Sequence, residues 1–238
     1  MKICLTSEEI NKESARTILS FVDKIIYIKP WDHLYPAIRS HADIQICPIA
    51  KNKLVVQPKL HVETLKAMEK AGLELLAGQS ELKRRYPDNI YYNVGISGRY
   101  YFHKTSHTDE TVRRELEKEN IKPVDLKQGY TKCSMAALGD KYIITSDAAI
   151  YKKSIEIGLE ALLLPPGGIV LPGFQYGFFG GCCGVDDKER IFMLNGSVDK
   201  YIYGNELKNF IKKTGYALVE LHMRKPEDIG SIFILDMG

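Results

Sequence analysis

A run of strand, tight turn, strand, amphipathic helix and strand recurs about every forty to fifty residues along this 238-residue chain. In one copy HADIQICPIAKNKLVVQP leads into KLHVETLKAMEKAGLELLAG, and in another YTKCSMAALGDKYIITSD leads into AAIYKKSIEIGLEALLLPP. A single unit of this kind cannot bury both faces of its sheet, so the copies must stack against one another.

Four complete units follow from the turn and cap signals: about 40–80, 86–128, 129–166 and 177–221. Gly72, Gly158 and Gly215 stand where each helix must stop, and Ser97-Gly98 and Gly139-Asp140 where hairpins must turn. The helix of the second unit is expected to open at Thr108 or Asp109. Half a unit remains at each end: strand MKICLT, a helix over 8–21 capped by Thr6 or Ser7 and strand KIIYIK at the start, and strand GSIFILD at the finish. Together they make a fifth unit from 228–238 joined with 1–30. The expected fold is therefore α/β, one domain of five ββαβ units closed into a pseudo-fivefold propeller by the two terminal strands, with an open α/β sheet as the alternative.

Composition narrows the function classes. Thirty-three basic residues against 30 acidic ones give a net charge of +3 with no basic block, which argues against nucleic acid as the main ligand. No apolar run reaches the roughly eighteen residues a membrane span needs, and MKICLTSEEINKES turns polar where a signal peptide would be apolar. Five cysteines, an odd number without zinc spacing, fit reduced thiols in a cytoplasmic protein. No cofactor or metal site is expected; His33, His103, His107 and His222 read as surface or internally satisfied residues.

The cyclic ββαβ pattern resembles the pentein superfamily of guanidine-modifying enzymes, and His41-Ala42-Asp43 is similar to the His-x-Asp of its deiminases. GYTKCS, YGFFGG and DIGSI also resemble a group of uncharacterised bacterial relatives. The resemblance implies hydrolysis or amidino transfer on a small guanidinium or amidine compound through a cysteine-bound intermediate. That chemistry needs a thiolate nucleophile, a histidine to pass protons and carboxylates to grip a planar cation. In the resembled enzymes the cysteine lies about two units beyond the histidine, and 92 residues separate His41 from Cys133.

This makes Cys133, His41 and Asp43 the candidate catalytic residues. Read as strands, the unit starts place His41, Asp43 and Gln45 on one face, Thr131 and Cys133 on another, and Asn89, Tyr91 and Asn93 on a third. Gln45, Thr131, Asn89 and Asn93 are accordingly expected at the substrate, Cys133 opposite Gln45, and Lys132 facing away. Cys182, beside Cys183 in a Gly-rich bend, is the rival thiol, since the resembled enzymes carry theirs in a Gly-rich stretch near the chain end. Gly177, Gly180, Gly181 and Gly184 are expected to allow close backbone approach around the axis. A mid-chain cysteine departs from the family pattern. The competing reading is therefore a non-catalytic ring that binds a small molecule or a ribosome-type partner.

Overall fold

The computed structural model describes residues 1–237. The chain opens with β1 (Lys2–Ser7), α1 (Lys12–Ile18) and β2 (Lys24–Ile28). A first group follows: the short helix α2 (Ala42–Gln45), β3 (Ile46–Ala50), β4 (Lys53–Val56), α3 (Val62–Lys70) and β5 (Glu74–Ala77). The second is β6 (Gly95–Ser97), β7 (Tyr100–His103), α4 (Glu110–Lys118) and β8 (Lys122–Asp125). The third is the short helix α5 (Thr131–Ser134), β9 (Met135–Leu138), β10 (Tyr142–Thr145), α6 (Ala148–Glu156) and β11 (Glu160–Leu163). The fourth is β12 (Cys183–Asp186), β13 (Ile191–Leu194), α7 (Gly204–Thr214) and β14 (Ala217–Glu220), and β15 (Ile232–Asp236) ends the chain.

Every group pairs its strands in the same way. The middle strand is antiparallel to the strand before it and parallel to the one after the helix, as in β3-β4-β5, β6-β7-β8, β9-β10-β11 and β12-β13-β14. The two ends of the chain supply a fifth set: β1 is antiparallel to β15, with Cys4 opposite Ile234, and parallel to β2. Met237 N–H donates to the Met1 carbonyl at 2.9 Å, which fastens the ends together. β15 also pairs with β12, so the fourth and fifth sets form one six-stranded sheet while the other three stand as separate sheets.

Packing follows from the two-residue period of the middle strands, which sends successive side chains to opposite faces. Leu54 and Val56 of β4 enter one core with Ile3 and Leu5 of β1, whereas Val55 enters another with Val94 and Tyr101. Tyr101 and Phe102 of β7 divide likewise, as do Ile143 and Ile144 of β10. On β13, Phe192 and Leu194 share a core with Ala136 and Leu138, and Met193 packs with Cys4 and Ile25. The result is five buried clusters, each shared by two neighbouring sets, the last joining the fourth set to the chain ends.

The caps explain most helix boundaries. Asp109 accepts from the Thr111 and Val112 N–H groups to start α4, and Gly215, at φ +76°, ends α7. At α1 the sequence reading is corrected: the helix starts four residues later than expected because Asn11, rather than Thr6 or Ser7, accepts from Ser14 N–H. Gly98 and Gly139, at φ +53° and +56°, turn their hairpins as expected.

The glycines of the 177–184 bend are needed for contact rather than for left-handed backbone. A Cβ built on Gly181 would stand 1.9 Å from Asp228 Oδ1, and one on Gly180 would stand 2.3 Å from the carbonyl oxygens of Lys132 and Met135. Gly158, at φ +85° with nothing within 4 Å, has a conformational role only. Gly181→Ala is expected to cost about 2–3 kcal/mol through overpacking, and Gly158→Ala about 1–2 kcal/mol through backbone strain at its left-handed φ, as read by urea denaturation. Equal losses, or the reverse order, would contradict this packing.

Candidate functional site

The inner ends of the sets meet at a buried polar hub to which each contributes. His41 and Asp43 precede β3, Asn93 precedes β6, Lys132 and Cys133 lie on α5, Gly180 and Gly181 on the 3-10 turn before β12, and Asp228 and Ser231 precede β15. His41, Asp43, Asn93, Cys133, Asp228 and Ser231 are all buried. A cavity of about 360 Å³ opens onto this hub, and His41, Cys133 and Asp228 form part of its lining.

The unit starts differ from the extended strands that the alternation suggests. Residues 42–45 and 131–134 each form one helical turn, and the strands begin only at Ile46 and Met135. The two-residue face argument therefore fails here. The chain must bend where several backbones converge, and Asp43 N–H is held by the Gly230 carbonyl at 3.0 Å instead of by a strand partner. Equivalent positions shift by one: Cys133 corresponds to Ile44, not Gln45, and Lys132 corresponds to Asp43. Lys132 consequently turns inward, against expectation, and its Nζ donates to Ser231 Oγ at 3.0 Å.

Cys133 is fixed by Asn93. The Asn93 Nδ2 donates to Cys133 Sγ and to the Asp43 carbonyl, both at 2.9 Å, while Cys133 N–H donates to Asn93 Oδ1 at 3.2 Å. Burial pushes the thiol well above its ordinary 9.0, the nearby Asp43 and Asp228 carboxylates push it further, and the Asn93 donor opposes them. Cys133 therefore rests as a thiol, not a thiolate.

Two carboxylates face one another across the hub with unequal support. Asp228 accepts from Phe178 N–H at 2.9 Å and from Gly230 N–H at 3.0 Å, yet burial still raises it to about 6. Asp43 is raised by burial, a shift that His41, Lys132 and the Ser231 hydroxyl oppose and the Asp228 charge reinforces. Ser231, at φ +72°, places its Oγ 2.5 Å from Asp43 Oδ2. The other oxygen, Asp43 Oδ1, is buried with the Cys133 thiol as its neighbour and no partner of good hydrogen-bond geometry. His41 Nδ1 is also unpartnered, 3.8 Å from Asp228 Oδ1, and burial lowers the ring's pKa, so the imidazole is neutral near pH 7. With Lys132 as the cation among these carboxylates, the ionised hub is short of one positive charge.

The remaining sequence candidates do not face the cavity. Gln45 gives its amide to the Lys29 and Arg39 carbonyls at 3.0 and 2.6 Å, and Thr131 donates to the backbone carbonyls of Asn93 and Phe102 while accepting from Gly95 N–H. Both pin neighbouring chain segments together. Asn89 donates to the Arg84 carbonyl at 3.1 Å, with its Oδ1 buried and unpartnered. Cys182 donates to the Phe179 carbonyl within a core that contains Phe192 and Tyr201, away from the cavity lining. His103 is satisfied by Thr108 and the Ile90 carbonyl, and no metal-ligating group of three or more side chains occurs among the described residues. Sequence reasoning missed Asp228, Ser231 and the inward Lys132; the DIGSI segment that holds the first two carried a family likeness but no repeat partner.

The strand pairing and order of the sets belong to a known class of fold. DDAH from Pseudomonas aeruginosa, a mutant complexed with citrulline, superposes with a TM-score of 0.55 at 11% identity, covering 92% of this chain and 90% of that one. The N-terminal domain of ArgZ, an arginine dihydrolase from cyanobacteria, gives 0.56 at 12% identity over 92% and 90%. SxtG, an amidinotransferase from Microseira wollei, gives 0.50 at 13% identity over 92% and 87%. These are pentein proteins, and this chain has the pentein fold. It belongs to the family of unknown function DUF6873, which matches residues 5–233. Comparison with curated protein sequences gives no match. No helix among the described residues is long and apolar enough to cross a membrane.

The buried carboxylate has a measurable signature. Its folded pKa of about 6 exceeds the ordinary 3.8, so its contribution to stability is whole below about 3.8 and is lost as pH rises through about 6. Between about pH 4 and 7 the wild type should lose on the order of 2–3 kcal/mol relative to Asp228→Asn. Urea melts across that range check it, and parallel pH curves for the two proteins would contradict the assignment.

Proposed function

We propose that this protein binds a small guanidinium or amidinium compound at its hub and cleaves a C–N bond of it through Cys133. The observation that carries the reading is the meeting, on the wall of one cavity, of the Cys133 thiol, the unpartnered His41 Nδ1 and the buried Asp228 carboxylate, with Asp43 adding a second carboxylate behind them and Lys132 as the single cation. A planar cation supplies the missing charge and the missing donors together. The closed five-bladed ring is part of the same proposal, supported by the cyclic order of the five shared cores. A cytoplasmic setting is supported by five free cysteines.

In this mechanism the bound cation lowers the cost of forming the thiolate, and the thiol proton passes to neutral His41. Cys133 Sγ attacks the guanidinium carbon, forming a C–S bond, and His41 returns the proton to the departing amine as its C–N bond breaks. Water then attacks the thiouronium carbon, His41 takes its proton, and the C–S bond opens to release a urea and regenerate the thiol. Asp43 holds the cation and Asn93 holds the sulfur. With another amine in place of water, the same steps give amidino transfer.

A ring that binds without turnover is the second reading, favoured by the burial of Cys133 and the carboxylates beside it, which together hold the thiol protonated. Chloroacetamidine separates the two. The enzyme reading expects alkylation of Cys133 ahead of the other four thiols, abolished in Cys133→Ser and slowed about tenfold or more in Asn93→Ala by loss of the sulfur's donor, as followed by peptide mass spectrometry. Labelling spread over all five thiols, or Cys133 no faster than the rest, would overturn it.

A further inference from the structure

The cavity has a polar floor and aromatic walls. Tyr35 and Phe174 meet edge to face, centroids 6.4 Å apart at 77°, and Tyr130 and Phe178 lie 5.9 Å apart at 30°. Tyr176 adds a fifth ring, and Ile38, Ile44 and Leu171 fill the spaces between. Phe174 is 52% exposed and Tyr176 39%, so apolar surface stands at the mouth without a cover. A guanidinium has four heavy atoms, whereas about 360 Å³ corresponds to roughly a dozen waters at about 30 Å³ each. The cation accounts for a minor part of the space, and the rest is walled mainly by aromatic and aliphatic side chains, with Gln175 as an uncharged amide among them.

The charges argue in the same direction. Among the described residues the lining contains no arginine or lysine; Lys132 approaches the carboxylates from behind, at Ser231, and Arg84 stacks on the Tyr35 ring without lining the cavity. The carboxylate of an amino-acid substrate, at the far end from its guanidinium, would thus lie against aromatic rings at the mouth with no lysine or arginine of the lining to pair it. That arrangement carries a desolvation cost. A ring or alkyl chain in the same place would bury its surface against the five aromatics and add edge or stacking contacts.

Resting on the cation-binding reading above, we infer that the ligand is a guanidinium or amidinium carrying an aryl or alkyl group and no carboxylate, and not an amino acid of the arginine type. The test measures protection of Cys133 against chloroacetamidine, with calorimetric binding in parallel, using phenylguanidine, hexylguanidine, guanidinium and L-arginine. Phenylguanidine or hexylguanidine should act at concentrations about tenfold or more below L-arginine. Phe174→Arg, at a half-exposed position that tolerates the change, should weaken the arylguanidine and improve L-arginine. L-arginine binding as tightly as the arylguanidine, or a ratio unmoved by Phe174→Arg, would overturn the inference while leaving the cation reading in place. No binding and no protection by any of the four would remove the cation reading itself.

Discussion

The structure depends on one constraint: the middle strand of every set is buried on both faces, and the two faces belong to different cores. Met193 cannot join the cluster of its neighbours Phe192 and Leu194, because a strand sends successive side chains to opposite sides. Each set therefore completes its core only with the set before and the set after it. The terminal strands make the same arrangement at the seam, where Ile3 and Leu5 face one core and Cys4 the other. A chain built this way has no independent unit, and its stability is spread over all five shared clusters.

Such stacking places the inner ends of the sets close together, and the hub chemistry follows from that. Backbones approach so closely that Gly180, Gly181 and Gly230 have no room for a Cβ: at Gly230 one would stand 2.2 Å from His41 Cβ. The polar side chains that enter are removed from water. Burial raises Asp43, Asp228 and Cys133 and lowers His41, all toward the neutral form. Burial biases these groups toward their neutral forms, yet Asp228, at about 6, is still mostly ionised at neutral pH, and a cation entering the cavity would hold it so at lower pH. The hub is thus poised by burial rather than by a prearranged ion pair.

The sequence made the repeating units and the joined ends legible because these rest on turn glycines, helix caps and period-two strands, which are local signals. The hub was legible only where it carried a short motif, as at His41 and Asp43, or unit spacing, as at Cys133. Its details were not. The helical turns at 42–45 and 131–134 arise from crowding among distant segments, and so the face assigned to Gln45 and Thr131 was lost to backbone bonds. Asp228 and Ser231 belong to a half unit without a helix, where no internal comparison marks them. Lys132 turned inward because a one-residue shift in register exchanges which side chain meets the axis.

The central claim, that the buried carboxylates receive a cation, is tested most directly by proton linkage. Calorimetric titration of phenylguanidine at about pH 6, in buffers of differing ionisation enthalpy, counts the protons exchanged on binding. A cation that ionises Asp228, which burial raises to about 6, must drive protons out, so net release is expected. Binding with no proton exchange, or with uptake, would contradict the account.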